Sequence, residues 1–464
     1  MKPQMNADER RVCGQTGRVK VLKVSVLGAI LFSWVGLLAA GEPQSLTIEE
    51  CIRLGLERNP GLKSSQAVVD MAQARVREAY ASALPSLKLS GGYTRLSEVD
   101  PFVIALPSAP GQPARAETLG ASIPNNYAAR LSLQQPVFTG LRLVSATRIA
   151  REYQAAARQD FAGARAKLVF DIESAYWSLY KAQQLQRVVA QSERTIQAHL
   201  DDVGNLRTQG MATQNDVMKV RVQLANVRVL RLEAENAQRL ARTALAGLIG
   251  LGLDTEVETA SVLDTLGEPM PGALDSLVQQ AQANRPELAA LEHRARMAAD
   301  AVTVAAGAWY PQIALTGNYY YSRPNQRYQP VKDEFKKSWD LGLGATFDLW
   351  NWGMTLHQTA EAKAQLAQAR AGLEQLRNAV TLEVTQDWQN LRSANEKAGA
   401  TGEALLQAVE NRRVAEESFK AGAATSSDRL DAETMLLQAE LSHIQAQADR
   451  VVAEAKLRRT VGER

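Results

Sequence analysis

Two periodicities share this chain. In Leu87, Leu89, Gly91 and Tyr93 the apolar or small side chains take odd positions, while Lys88, Ser90, Gly92 and Thr94 take even ones. The same period of two runs through Tyr127, Ala129, Leu131, Leu133 and Val137 against Arg130, Ser132 and Gln134. It returns in Ile313, Leu315, Tyr319 and Tyr321 against Gln312, Thr316, Asn318 and Ser322. It appears last in Trp339, Leu341, Leu343, Ala345, Phe347 and Leu349 against Ser338, Asp340, Gly342, Thr346 and Asp348. One apolar and one polar face per segment predicts four strands, at about 86–96, 126–138, 312–322 and 338–350.

Elsewhere the period is helical. No proline interrupts 140–207 or 353–420, and each stretch predicts a helix on the order of 100 Å long. The segments that follow carry heptads: Val220, Val227, Ala234, Ala241 and Leu248 in one, Leu430, Leu437, Ile444 and Val451 in the other. A sustained seven-residue repeat drives coiled-coil packing, so each long helix is expected to pair with its successor in a hairpin. The reversals are Gln209-Gly210-Met211-Ala212-Thr213 and Ala421-Gly422-Ala423-Ala424-Thr425, each followed by aspartate three residues on, at Asp216 and Asp428. Gly at such a position ends a helix in the left-handed conformation, and Thr with an acid in the first turn begins the next.

The grammar is written twice. A short helix ends at Asn59-Pro60, a second starts there and stops at Leu84-Pro85; about 226 residues on, Arg285-Pro286 and Tyr310-Pro311 repeat the plan. Proline fits a first helical turn, where its missing N–H has no partner to lose. The chain therefore reads as two tandem copies, 41–267 and 268–464, joined by an irregular acidic, Gly- and Pro-containing belt at about 251–272. Ser97–Asn126, with five prolines, is expected to be a long mobile loop, and Arg323–Lys337 is its counterpart.

Composition narrows the function. The strands have small or hydrogen-bonding residues on one face and aromatics near their ends, Tyr93, Tyr319, Tyr321, Trp339, Trp350 and Trp352 among them, which is the pattern of a membrane barrel with an interfacial aromatic girdle. Four strands cannot enclose a barrel, so several chains are required. Arg10, Arg11, Arg18, Lys20 and Lys23 precede an apolar run ending Leu38-Ala39-Ala40, which predicts a cleaved secretory signal over 1–40. Net charge is +3, which offers no nucleic-acid footprint. Cys13 falls in the leader and leaves Cys51 as a single thiol; His199, His293, His357 and His443 are scattered without metal-ligand spacing. With no nucleophile motif or phosphate loop either, neither an enzyme nor a cofactor is expected.

The tandem duplication, the Asn59-Pro60/Arg285-Pro286 starts, the Leu84-Pro85/Tyr310-Pro311 switches and the paired Gly-x-x-Thr-x-x-Asp turns together resemble the TolC-like outer-membrane efflux proteins. The resemblance implies a mainly α fold with β: long duplicated hairpins forming a periplasmic α-barrel, and a homotrimer whose four strands per chain make a twelve-stranded outer-membrane barrel in lipid. It implies a passive exit duct for efflux or type I secretion, served by a periplasmic adaptor and an inner-membrane pump. The adaptor would dock at the tip, Gln209, Gly210, Met211, Ala421, Gly422 and Ala423. Asp428 and Asp431, with Asp216 as the first-copy equivalent of Asp428, would line the periplasmic constriction. In the family an arginine on the other hairpin helps to lock that tip; the matching position here is Ala424, which leaves the lock absent or supplied by another residue such as Arg429. A periplasmic adaptor with one coiled-coil hairpin, or a non-transporting coiled-coil scaffold, is the competing class; tandem hairpins with interleaved strands argue against both.

Overall fold

The computed structural model describes residues 44–100, 102–106, 111, 115–120, 122–260 and 272–463. The expected signal segment, 1–40, lies outside them. In chain order the elements are β1 (Gln44–Leu46), α1 (Ile48–Arg58), α2 (Pro60–Ala81), β2 (Ser86–Arg95), β3 (Phe102–Leu106), β4 (Arg115–Gly120), β5 (Asn125–Phe138), α3 (Arg142–Thr208) and α4 (Gln214–Leu248). Then come β6 (Val257–Thr259), α5 (Leu274–Asn284), α6 (Pro286–Ala306), β7 (Gln312–Arg323), β8 (Lys336–Thr346), α7 (Met354–Lys420) and α8 (Ser426–Val461).

The second half repeats the first. α1 and α2 precede β2, and α5 and α6 precede β7; Asn59 caps α2, its side chain accepting from the N–H groups of Gly61 and Leu62, with Pro60 in the first turn. α3 and α7 are both 67 residues long, about 100 Å at 1.5 Å per residue. Each half has its own core where the lead-in helices meet the hairpin. Ile172, Tyr176, Leu179, Leu245 and Ile249 pack with Cys51 and Leu62 in the first; Val380, Val384, Leu391, Leu457 and Val461 pack with Leu277 and Leu288 in the second. Burial, with help from Glu50 and Glu49, pushes the Cys51 thiol up to about 11. Where sheet meets helices, Gly140 (φ +61°) and Gly307 lie back to back; a Cβ on Gly140 would overlap the Gly307 carbonyl, so neither position has room for a side chain.

The main sheet has the order β2-β5-β7-β8, antiparallel throughout. Its register sets Leu89 beside Leu131, Leu131 beside Tyr319 and Tyr319 beside Trp339, so odd positions share one face across all four strands. Those side chains have no cover: Leu89 is 77 % exposed, Trp339 70 % and Leu343 69 %.

Three expectations change. β8 covers 336–346, not 338–350: the chain leaves the ladder before Asp348 and turns through positive φ at Trp352 and Gly353 into α7. The proline-rich connection is not featureless, because β3 and β4 pair in a hairpin within it. In the belt between the halves, β6 pairs in parallel with β1 and buries Val257; 261–271 lie outside the described residues.

Candidate functional site

The hairpin tips are built by local chemistry. After α3, Gly210 takes φ +75°, the Met211 N–H reaches the Leu206 carbonyl at 2.9 Å and the Gly210 N–H reaches that of Arg207 at 3.0 Å. After α7, Gly422 takes φ +73° and the Ala423 N–H reaches the Ser418 carbonyl at 2.8 Å. Bonds running back across a left-handed glycine use up the last carbonyls of the helix. Nothing lies within 4 Å of a Cβ built on either glycine, so backbone conformation, not crowding, calls for glycine here.

Thr213 and Thr425 each close a capping box. Asp428 Oδ2 accepts from the Thr425 N–H (2.8 Å) and hydroxyl (2.7 Å), and Asp216 Oδ2 does the same with Thr213 (2.9 and 2.6 Å). These bonds from the threonine hydroxyl, then its backbone N–H, hold both carboxyls below the usual aspartate range. One oxygen of Asp216 and one of Asp428 are therefore committed to starting a helix. Asp431 differs: it is exposed and its side chain makes no hydrogen bond or ion pair with a described residue. Gln209, Gly210, Met211, Ala421, Gly422 and Ala423 are all exposed at the two turns.

The two tips are tied together. Val189, Ile196, Val203, Val217, Val220, Leu224 and Val227 of α3 and α4 form one core with Leu437 of α8, flanked by Leu430, Leu441 and Phe419. Arg429 on α8 donates to Asp202 on α3 at 3.2 Å and lies over the Phe419 ring at 5.4 Å. Lys219 of α4 donates to the Ser427 hydroxyl at 2.9 Å, and Gln223 to Thr434 at 3.2 Å.

His199 of α3, only 3 % exposed, sets Nε2 at 3.1 Å from the Ser426 hydroxyl and 3.4 Å from its carbonyl; its Nδ1 is buried without a hydrogen-bond partner among the described residues. Burial, then the Arg429 charge, pushes its pKa below the ordinary imidazole value. Arg429 thus joins the hairpins, whereas Ala424 does not. In the sequence His199 is one of four scattered histidines, and Asp202 and Lys219 are unmarked; no local pattern points to their role, because their partners are more than 200 positions away.

The polar face of the sheet is connected as well. Arg130 donates through Nε and Nη2 to Asn318 Oδ1 (3.0 and 2.7 Å), and Asn318 Nδ2 donates to Asp340 Oδ1 (2.7 Å), spanning β5, β7 and β8. On the opposite face Tyr93, Tyr319, Tyr321 and Trp339 stand exposed; Trp350 and Trp352, 76 % and 86 % exposed, follow β8 at the helical end. Among the described residues no group of three or more His, Cys, Asp or Glu is arranged to hold a metal ion, and no helix is long and apolar enough to cross a membrane.

The chain matches known proteins over most of its length. The sequence pattern of the outer membrane efflux protein family covers residues 51–251 and 277–463. The outer membrane protein TolC of Vibrio cholerae is 23% identical over 410 residues, 88% of each chain. The outer membrane efflux protein BepC of Brucella suis is 21% identical over 459 residues, 96% of this chain and 91% of that one. The outer membrane channel CmeC of Campylobacter jejuni shares the fold, with a TM-score of 0.77 at 16% identity over 89% of this chain and 85% of that one. The chain belongs to the outer membrane efflux protein family, whose members are export channels of the outer membrane.

Proposed function

We propose that three copies of this chain close one barrel and one helical tunnel, forming the passive exit duct of a tripartite export system. The observation that carries this reading is the open sheet. β2 and β8 are its unpaired edges, and with every neighbour antiparallel they run antiparallel to each other. β8 of one copy therefore fits β2 of the next in a head-to-tail ring, and three copies supply twelve strands. β7 has 12 residues, roughly 40 Å of strand at 3.3 Å per residue. At the 35–45° tilt of membrane barrels it stands roughly 30 Å tall, the thickness of a hydrocarbon core. The odd face then meets lipid, with the aromatics at its rims, and the Arg130–Asn318–Asp340 face lines a wet lumen.

Each half, 41–267 and 268–464, contributes two strands and one hairpin. A groove of about 650 Å³ between α7 and α8, lined by Ala404, Gln407, Ala408, Asn411, Met435 and Ala439, is open in the single chain and suits a helix of an adjacent copy. At the far end the exposed turns dock a periplasmic adaptor, and an inner-membrane pump provides the energy. Asp431, with the free oxygens of Asp428 and Asp216, rings the constriction. Opening parts α7 and α8 from α3 and α4, against the Arg429–Asp202 tie. Outer-membrane fractionation followed by native mass measurement tests the assembly: a trimer is expected, and a soluble monomer refutes it.

A further inference from the structure

We propose that the rim of the sheet farthest from the helices binds the phosphorylated headgroups of outer-leaflet lipid, with Arg95 and Lys337 as the ligating cations. The proposal rests on the membrane-spanning reading above. Along the four strands, the odd positions that face lipid carry three charged residues: Arg95, Arg323 and Lys337. All three are cations, and all lie at the end where β7 turns into β8. The odd positions at the helical end, Leu87, Gln135, Ile313 and Ala345, are uncharged. The lumen face, by contrast, mixes signs along its length, with Lys88, Arg130, Lys336 and Asp340. Charge placed for solubility alone has no reason to choose one sign, one face and one rim. A leaflet whose headgroups are anionic supplies that reason.

The surroundings suit an amphiphile. Register sets Arg323 beside Tyr127 and Tyr127 beside Tyr93, while Lys337 stands beside Tyr321. These rings form a continuous aromatic shelf: Tyr93 and Tyr127 have centroids 5.0 Å apart, Tyr127 and Phe335 6.0 Å, and Tyr321 stacks on Phe335 at 5.0 Å. Arg323 is already spent. It holds Asp333 through two bonds of 2.8 and 2.9 Å and lies over the Tyr127 and Phe335 rings at 5.9 Å, pinning the β7–β8 loop to the shelf. Arg95 and Lys337 are exposed and meet no acidic partner among the described residues. Their long stems can lie on the shelf while the charged heads reach a phosphate, and the acyl chains continue down over Leu89, Leu131, Tyr319 and Leu341. A free phosphate would use the cations and leave the apolar strip below them without a role.

The test uses the purified full-length protein in detergent, with lipopolysaccharide, the same lipid stripped of its phosphates, and inorganic phosphate as probes. Binding is followed by native mass spectrometry and by titration. Arg95→Gln/Lys337→Gln is expected to bind the phosphorylated lipid about thirtyfold more weakly, the fold-change for two cations at an anionic surface. Arg95→Lys/Lys337→Arg is expected to keep wild-type binding, and inorganic phosphate at millimolar concentration is expected not to compete. Unchanged binding by the Gln variant at equal trimer content overturns the proposal. So does equal affinity for the stripped lipid, or displacement by inorganic phosphate, which would mark a free-anion site. Wild-type protein found outside the outer membrane overturns the spanning reading itself and this proposal with it.

Discussion

Replacing Arg429 by Ala tests whether the tie between the two hairpins sets the resting state of the tip. The Arg429 side chain is 15 % exposed and that of Asp202 56 %, so their 3.2 Å contact is partly screened. Pairs of this kind contribute about 0.2–1 kcal/mol; the Phe419 ring belongs to α7, which moves with α8, so that contact adds nothing to the tie between hairpins. Removing Arg429 leaves Asp202 solvated, so no buried charge is stranded. The loss is then roughly 0.2–1 kcal/mol per chain. If the three tips of a trimer open together the terms add to roughly 0.6–3 kcal/mol, which is roughly a 3- to 150-fold rise in the open-to-closed ratio. Single-channel recording in planar bilayers reads this ratio directly. Arg429→Ala, Asp202→Ala and the double variant form a cycle, and the double variant should be about as open as Arg429→Ala alone. If the two single effects simply add, or if Arg429→Ala gates like wild type, the pair does not hold the tip.

Three further outcomes are expected. The docked hairpins favour neutral His199, whose pKa is depressed, so its contribution is present above the ordinary imidazole pKa of about 6.5 and is lost as pH falls below it. Tip opening should rise with acidification, and His199→Gln should remove that part of the pH profile while leaving whatever Glu433, also at this joint, contributes through its raised pKa; an unchanged profile refutes the role. Asp428→Asn/Asp431→Asn should weaken cation selectivity and divalent-cation block severalfold with the trimer intact, since Asn can still accept the Thr425 cap bonds; unchanged reversal potentials would remove both residues from the constriction. Ala423→Trp should abolish export while preserving the trimer, because Ala423 is exposed and lies outside the positive-φ position that makes Gly422→Trp a test of the turn instead; normal export would place adaptor docking elsewhere.

The strands were legible because side-chain direction alternates strictly along a strand, and four segments put apolar residues at odd positions. The heptad seams were only partly legible. Val220 and Val227 are fully buried, but Ala234, Ala241 and Leu248 are only half-buried, and the seam resumes at Leu245, Ala246 and Ile249. The step from Val227 to Leu245 is five turns of 3.6 residues, so over this length α4 keeps the straight-helix period and drifts off a seven-residue one. The β3–β4 hairpin stayed hidden because Pro101, Pro107, Pro110 and Pro113 bracket its short strands. The β1–β6 pair was out of reach for another reason: three-residue strands on either side of the first half carry no period of their own.

The same limit explains what the motif at the tips can and cannot mean. Gly210-x-x-Thr213-x-x-Asp216 and Gly422-x-x-Thr425-x-x-Asp428 are alike because both solve one local problem, ending a helix and starting its return partner. Each residue of the motif has a backbone duty in both copies, so the motif cannot by itself make one hairpin behave differently from the other. The asymmetry that a gate requires lies around it. The first hairpin offers His199, Asp202 and Lys219, and the second answers with Ser426, Arg429 and Ser427, bracketing the α8 cap from two sides. Three of these six residues sit in the first turn of α8, so a movement that parts the hairpins must break these contacts at the start of one helix. The capping box holds that turn together while they break.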